Sequence, residues 1–236
     1  MLSIVNFSNP ILWAVIVGWI LSVVLHEFAH GIVAYIGGDY TIRERGGLTL
    51  NPLHYIHPIF SIVLPALFVL MGGIPLPGGA TYIRTELLRS RFWMSASALA
   101  GPLMNFLLFL LLILPFHPAL NWMRFSYDES KWTNVQQFIG ALAFLQIFSV
   151  FLNLMPIPPL DGFNVMAPYL PGEMRQIARS PAFQWSALIV LFFLISESTW
   201  FVTQVVVRTE QILDILHFRE QTTYFLARSF SLLFFN

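Results

Sequence analysis

Four apolar runs mark the chain, at about 11–36, 92–116, 135–155 and 182–207. Each is long enough to cross a bilayer core, which takes about 20 residues. Between the first two, "TIRERGGLTL" (41–50) alternates polar and apolar positions around Gly46-Gly47, which predicts short strands or a hairpin. The stretch 57–80 is apolar but broken by Pro58, Pro65, Gly72, Gly73, Pro75 and Pro77, so it is expected to be re-entrant rather than spanning. The tail, 208–236, mixes Ile212, Leu213, Leu216 and several Phe with Arg208, Glu210, Asp214, Arg219 and Arg228, and predicts an interfacial amphipathic helix serving as a surface anchor. The expected fold is an all-α polytopic membrane protein. It has about four full transmembrane helices, a re-entrant segment (57–80), a short membrane-associated β-hairpin (41–50) and a C-terminal amphipathic helix.

Composition agrees with that picture. Hydrophobic residues make up 57% of the chain and charged residues 10%, against about 25% charged in a soluble domain. The formal net charge is zero, which removes the electrostatic case for nucleic acid. There is no cysteine, so disulfides and thiolate metal sites are excluded and a metal must use His, Asp or Glu. The first run is too long for a signal-peptide core and lacks an A-x-A pattern, so a retained span is expected. With no hydrophilic linker and no internal repeat, one membrane domain is expected over 1–236. Its core covers about 11–165, with an accessory span and tail over 166–236.

Inside the first run stands "LHEFAHG" (25–31). Ionisable residues within a span are costly and usually have a partner or a task. His26 and His30 are four apart, so on a helix both imidazoles face one point. Glu27 stands about 100° round the helix from His26, beside a bound ion rather than on it, where it can take a proton from metal-bound water. A catalytic zinc takes three protein ligands and keeps an open position. His117 and His217 fall in a loop and in the tail. His54 and His57 flank the broken segment and read as interfacial. "NLMPIPPLDG" (153–162) offers a better third ligand: Pro156, Pro158 and Pro159 end the preceding span and present Asp161. Irregular backbone at that depth needs a protein or wet environment. The plainer alternative is a helix-ending turn with Asp161 as its cap.

In this order, "HEFAH", "GGLTLNPL", "ALAGPLMN" (98–105) and "NLMPIPPLDG" closely resemble the site-2 protease family of intramembrane zinc metallopeptidases, most of all its compact prokaryotic members without a PDZ domain. The resemblance implies one zinc per chain held by His26, His30 and Asp161, with Glu27 as catalytic base. It also points to Asn105 and Asn153. For Asn153 it implies a hold on substrate backbone or the oxyanion, while for Asn105 helix–helix bonding and a substrate role stand level. It further implies a membrane-protein substrate, a single-span helix that must unwind before it is cut, and a prokaryotic inner-membrane location. The chain departs from its relatives at His57 and Phe60, where Asp and Gly are usual, and in "PLPGGATYI"; these departures leave the ligand set untouched and bear on the substrate entrance. A peptide unwound in this way can add to a strand edge, for which 41–50 is a candidate.

Ligand depth constrains topology. His26 lies roughly 22 Å along its run and His30 about 10 Å from its end, whereas Asp161 follows the end of its own run. The runs 11–36 and 135–155 then point the same way, with 92–116 crossing between them and 57–80 returning to the side it left. Five true crossings remain the alternative if the first run is tilted or bent. On the first arrangement Arg43, Arg45, Arg84, Arg89, Arg91, Arg175 and Arg179 share the metal face, and Arg124, Lys131, Arg208, Arg219 and Arg228 lie opposite. That excess favours a cytoplasmic metal face. Two other functions compete: a metal-holding scaffold that cuts nothing, which has no use for Glu27, and an ion or metal transporter, which flux dependent on Glu197 would favour.

Overall fold

The structure, a computed structural model, describes residues 8–56, 61, 78–120, 122–124, 126, 128–178, 180–196, 199–219 and 221–234. Its regular elements are helices: α1 (Pro10–Gly37), α2 (Thr41–Glu44), α3 (Arg91–Ile113), α4 (Asn134–Asn153), α5 (Asp161–Met166), α6 (Gly172–Ala178), α7 (Pro181–Ser196), α8 (Thr199–Ile215) and α9 (Gln221–Phe234). Short 3-10 turns at Pro52–Tyr55, Thr85–Leu87 and Glu129–Lys131 join them.

Helix α1 opens where Asn9 Oδ1 accepts from Ile11 N, with Pro10 in the first turn. It ends at Gly38, whose φ of 125° suits a residue without Cβ. Helix α3 carries two stripes spaced by four. Ser97, Asn105, Phe109 and Ile113 are buried, with Gly101 between them, while Leu99, Leu103, Leu107 and Leu111 are exposed. In a bilayer the second stripe faces lipid.

Three expectations are corrected. Among the described residues three helices, not four, are long and apolar enough to span: Pro10–Gly37, Arg91–Phe116 and Asn134–Asn153. Over the run 182–207 the described helices are α7 and α8, of 16 and 17 residues, and residues 197 and 198 lie outside those described. The hairpin over 41–50 is not formed, and no strand occurs among the described residues. Its residues make one helical turn, then a bend at Gly46 with φ of 77°. The cause is Asp39, fully buried, whose carboxylate accepts from Thr41 Oγ1 at 2.6 Å, Arg45 Nη2 at 2.9 Å and Arg84 N at 2.9 Å. The polar residues of the alternation bond to one local carboxylate instead of facing solvent across a pleat. Burial pushes the Asp39 carboxyl up, but the Thr41 hydroxyl, the Arg84 amide and the Arg45 guanidinium outweigh it and hold it below the usual range. The third correction concerns the tail. Its helix α9 is amphipathic, but the apolar face is buried in protein, with Phe225 and Leu226 both at 0% exposure. The re-entrant reading of 57–80 falls mostly on residues outside those described, as do His57 and Glu197.

The chain divides into two compact units. The first comprises 1–22, 106–148 and 200–236. Within it Gln146 Nε2 donates to Ser22 Oγ, which donates to Gly18 O. Phe225 of α9 packs on Phe116 and Trp132, and Phe230 on Phe144. Glu129 accepts from Tyr224 Oη at 2.7 Å and Arg228 Nε at 2.8 Å. The second unit comprises 23–105 and 149–199 and contains every residue of the candidate site.

Candidate metal centre

The helical repeat sets His26 and His30 one above the other on α1, with rings 4.6 Å apart. Both are buried. His30 Nδ1 lies 2.6 Å from Ser97 O, a carbonyl that can only accept, so this nitrogen carries the proton. His26 Nδ1 donates in the same way to Asn105 Oδ1 at 3.0 Å. With Nδ1 of each ring committed to these partners, the Nε2 atoms are left as the available ligand atoms, and they face each other at 3.0 Å.

Asp161 reaches the same point from the second unit's other stretch. Helix α4 ends at Asn153. Bonds from Ile157 N to Met155 O and from Leu160 N to Ile157 O then fold the proline-rich turn, in which Pro158–Pro159 is cis. Gly162 is pressed onto the backbone of Leu154 and Met155, where no Cβ fits. Asp161 begins α5, and its Oδ2 lies 3.2 Å from His26 Nε2 and 3.4 Å from His30 Nε2. That oxygen is buried and has no hydrogen-bond partner.

Two imidazole nitrogens and a carboxylate oxygen thus converge on one point. Such a cluster is repulsive unless a cation sits in it. The three ligand atoms lie within 4.8 Å of one another, and separations of 3.0, 3.2 and 3.4 Å match the roughly 3.3 Å edge of a tetrahedron with zinc-length bonds. The nitrogen and carboxylate donors suit zinc.

Helix α3 backs this cluster closely. A Cβ on Gly101 would overlap Nε2 of both imidazoles, so only glycine lets the helix pass there. Glu27 is buried, with Gly79 and Val23 against its side chain. Asn105 is used on His26. Asn153 is half-buried, and its Nδ2 donates to Ser149 Oγ at 3.3 Å. His54 packs on Gly46, and His117 pairs with Leu216 O and the Phe218 ring; neither joins the cluster.

Sequence reasoning missed three contributors. Ser97 acts through its backbone and Gly101 through the lack of a side chain, so residue type signals neither. Tyr55 follows the "NPL" motif by two residues and laces the loops beside α1: its Oη donates to Thr49 O at 2.6 Å, and its carbonyl accepts from Ala80 N. Burial, with the Glu27 carboxylate adding to it, pushes the Tyr55 phenol up, so it stays a donor.

Known proteins are similar to this chain over most of its length. The chain is 42% identical over 192 residues to "Putative zinc metalloprotease Rip2" of Mycolicibacterium smegmatis, covering 79% of this chain and 69% of that protein. It is 39% identical over 188 residues to the protein of the same name from Mycobacterium tuberculosis H37Rv, with the same coverage. To "Putative zinc metalloprotease YwhC" of Bacillus subtilis it is 28% identical over 183 residues, 73% of this chain and 77% of that one. No family model and no solved structure matches the chain. The extent of these likenesses, together with the apolar helices and the His, His, Asp cluster, makes this chain a membrane-embedded, zinc-dependent peptidase that belongs to the site-2 protease family.

Proposed function

We propose that the protein hydrolyses peptide bonds within or near transmembrane segments of other membrane proteins, with His26, His30 and Asp161 holding one zinc ion and Glu27 as the base. The observation that carries this reading is the convergence of three ligand atoms beside a buried glutamate. A zinc ion in that cluster supplies Lewis acidity at a carbonyl oxygen and acidifies water.

The protein's own groups do the rest. Asn105 and the Ser97 carbonyl fix the ring orientations, so the two Nε2 lone pairs are aimed in advance. Glu27 takes a proton from the attacking water and returns it to the leaving amide nitrogen. Asn153, at the end of α4, holds substrate backbone near the forming oxyanion. A helical substrate keeps its amides in internal bonds, so the scissile stretch arrives unwound. The excess of arginine near α2 and the start of α3 supports a metal face toward the cytoplasm.

The test uses the purified full chain, loaded with zinc, and a single-span substrate. Cleavage is expected to stop on chelation and return with zinc. Glu27→Gln is expected to keep zinc and lose cleavage. Full activity in Glu27→Gln would remove the base, and zinc binding unaffected by His26→Ala or Asp161→Ala would remove the site.

A further inference from the structure

Glu27 is held by a segment outside the ligand set. A glutamate side chain has three rotatable bonds, and among the described residues none makes a hydrogen bond to the Glu27 carboxylate. The contacts described for it are packing contacts. One wall is Val23, a turn earlier on α1. The other is the backbone at Gly79, so close that a Cβ there would lie 2.9 Å from Glu27 Cγ, 3.2 Å from Glu27 Oε1 and 3.0 Å from Val23 Cγ1. Two residues on, Thr81 Oγ1 donates to the Glu27 main-chain carbonyl at 3.1 Å.

This wall is fastened independently of anything bound. Ser61 Oγ donates to Gly78 O at 2.6 Å, and Ala80 N donates to Tyr55 O at 3.1 Å. Tyr82 O accepts from Arg45 Nη1 at 2.6 Å, and Arg84 N donates to the buried Asp39 carboxylate at 2.9 Å. Residues 78–84 are thus tied to three other parts of the second unit, and they meet α1 at Glu27.

We propose that Gly79 and Thr81 are positioning residues for the peptidase reaction: Gly79 is the wall that confines the Glu27 side chain, and Thr81 the pin that keeps that wall in register with α1. The inference rests on the reading of Glu27 as the base. Proton transfer needs donor and acceptor within roughly 2.6–3.2 Å, and a displacement of about 1 Å can cost on the order of 100-fold in rate. A methyl group at position 79 displaces the carboxylate or the wall by that order. Loss of the Thr81 hydroxyl frees the wall to slide. Neither change touches a zinc ligand or its orienting partner.

The experiment compares Gly79→Ala, Thr81→Val, Thr81→Ser and Glu27→Gln in the zinc-loaded full chain, reading kcat, KM, zinc content and thermal midpoint. Gly79→Ala and Thr81→Val are expected to lower kcat by about 10-fold or more, with KM, zinc content and midpoint unchanged. Thr81→Ser is expected to stay within about twofold of the parent, because it keeps the hydroxyl. If Gly79→Ala does not fold, the Thr81 pair decides. Parental kcat in Thr81→Val overturns the proposal, and so does a loss in Thr81→Val that serine shares or that comes with loss of zinc. Parental activity in Glu27→Gln sinks the base itself; an inactive Glu27→Gln beside a fully active Thr81→Val sinks the positioning role alone.

Discussion

Gly101 of α3 lies directly against the His30 imidazole, so close that the hydrogen in place of a side chain is what keeps Nε2 in line with Asp161. Gly101→Ala is therefore expected to push both rings aside. Zinc content should fall after dialysis against a weak chelator, and residual activity should drop roughly 100-fold, the cost of about 1 Å of misplacement. In a helix exposed to lipid the same change would gain up to about 1 kcal/mol of helix propensity, so a variant that is more stable and fully loaded would contradict the close approach.

Asn105 bonds the ring of His26. Asn105→Leu keeps the volume and removes the acceptor, leaving His26 free to turn or change tautomer. Zinc affinity is expected to weaken about 10–100-fold, as for other outer partners of metal ligands. Competitive titration against a chromophoric chelator measures it. A variant altered in KM alone, with parental zinc affinity, would assign Asn105 to substrate instead.

The Asp39 carboxyl gives a pH signature. Its folded value lies below the usual carboxylate range, and the unfolded value is about 3.9. Its contribution is therefore complete above about pH 4 and disappears as pH falls through the lowered folded value. Asp39→Asn is expected to lower the thermal midpoint at pH 7. The gap to the parent should narrow as pH drops below about 4, read by melting in detergent across a pH series.

Helix α9 carries load as a packed element. Phe225→Ala opens a gap beside Phe116 and Trp132, and a buried aromatic truncated in this way costs about 3–5 kcal/mol in a soluble core. A clear fall in thermal midpoint is expected, and deletion of 221–236 should do at least as much. A surface anchor would leave the midpoint unchanged and alter only membrane partition.

The sequence pointed to the candidate cluster of His26, His30 and Asp161 because its spacing is physical. An i, i+4 histidine pair on a helix has one geometry, and three prolines followed by Asp161 leave few other uses for that carboxylate. It disclosed α1, α3 and α4 because long apolar runs have one stable form in lipid. It misled at 41–50, where the alternation that suggests a strand arises from Thr41 and Arg45 turning onto Asp39, a local contact that periodicity does not register. At 182–207 the expected fourth span is not among the three described helices long and apolar enough to cross a membrane. Ser97, Gly101 and Gly79 were beyond reach: each acts through main chain brought close by residues tens of positions away, and no residue type marks that.

The two imidazoles differ in how exposed their support is to genetic change. His30 leans on a peptide carbonyl, which any amino acid small enough for the buried position 97 would still present, so changes to other small residues there are buffered as long as α3 stays helical. His26 leans on the amide of one side chain, and few single-nucleotide replacements of an asparagine codon retain an acceptor at that reach. Drift at the centre should therefore be lopsided, with several small residues admitted at 97 and almost none at 105.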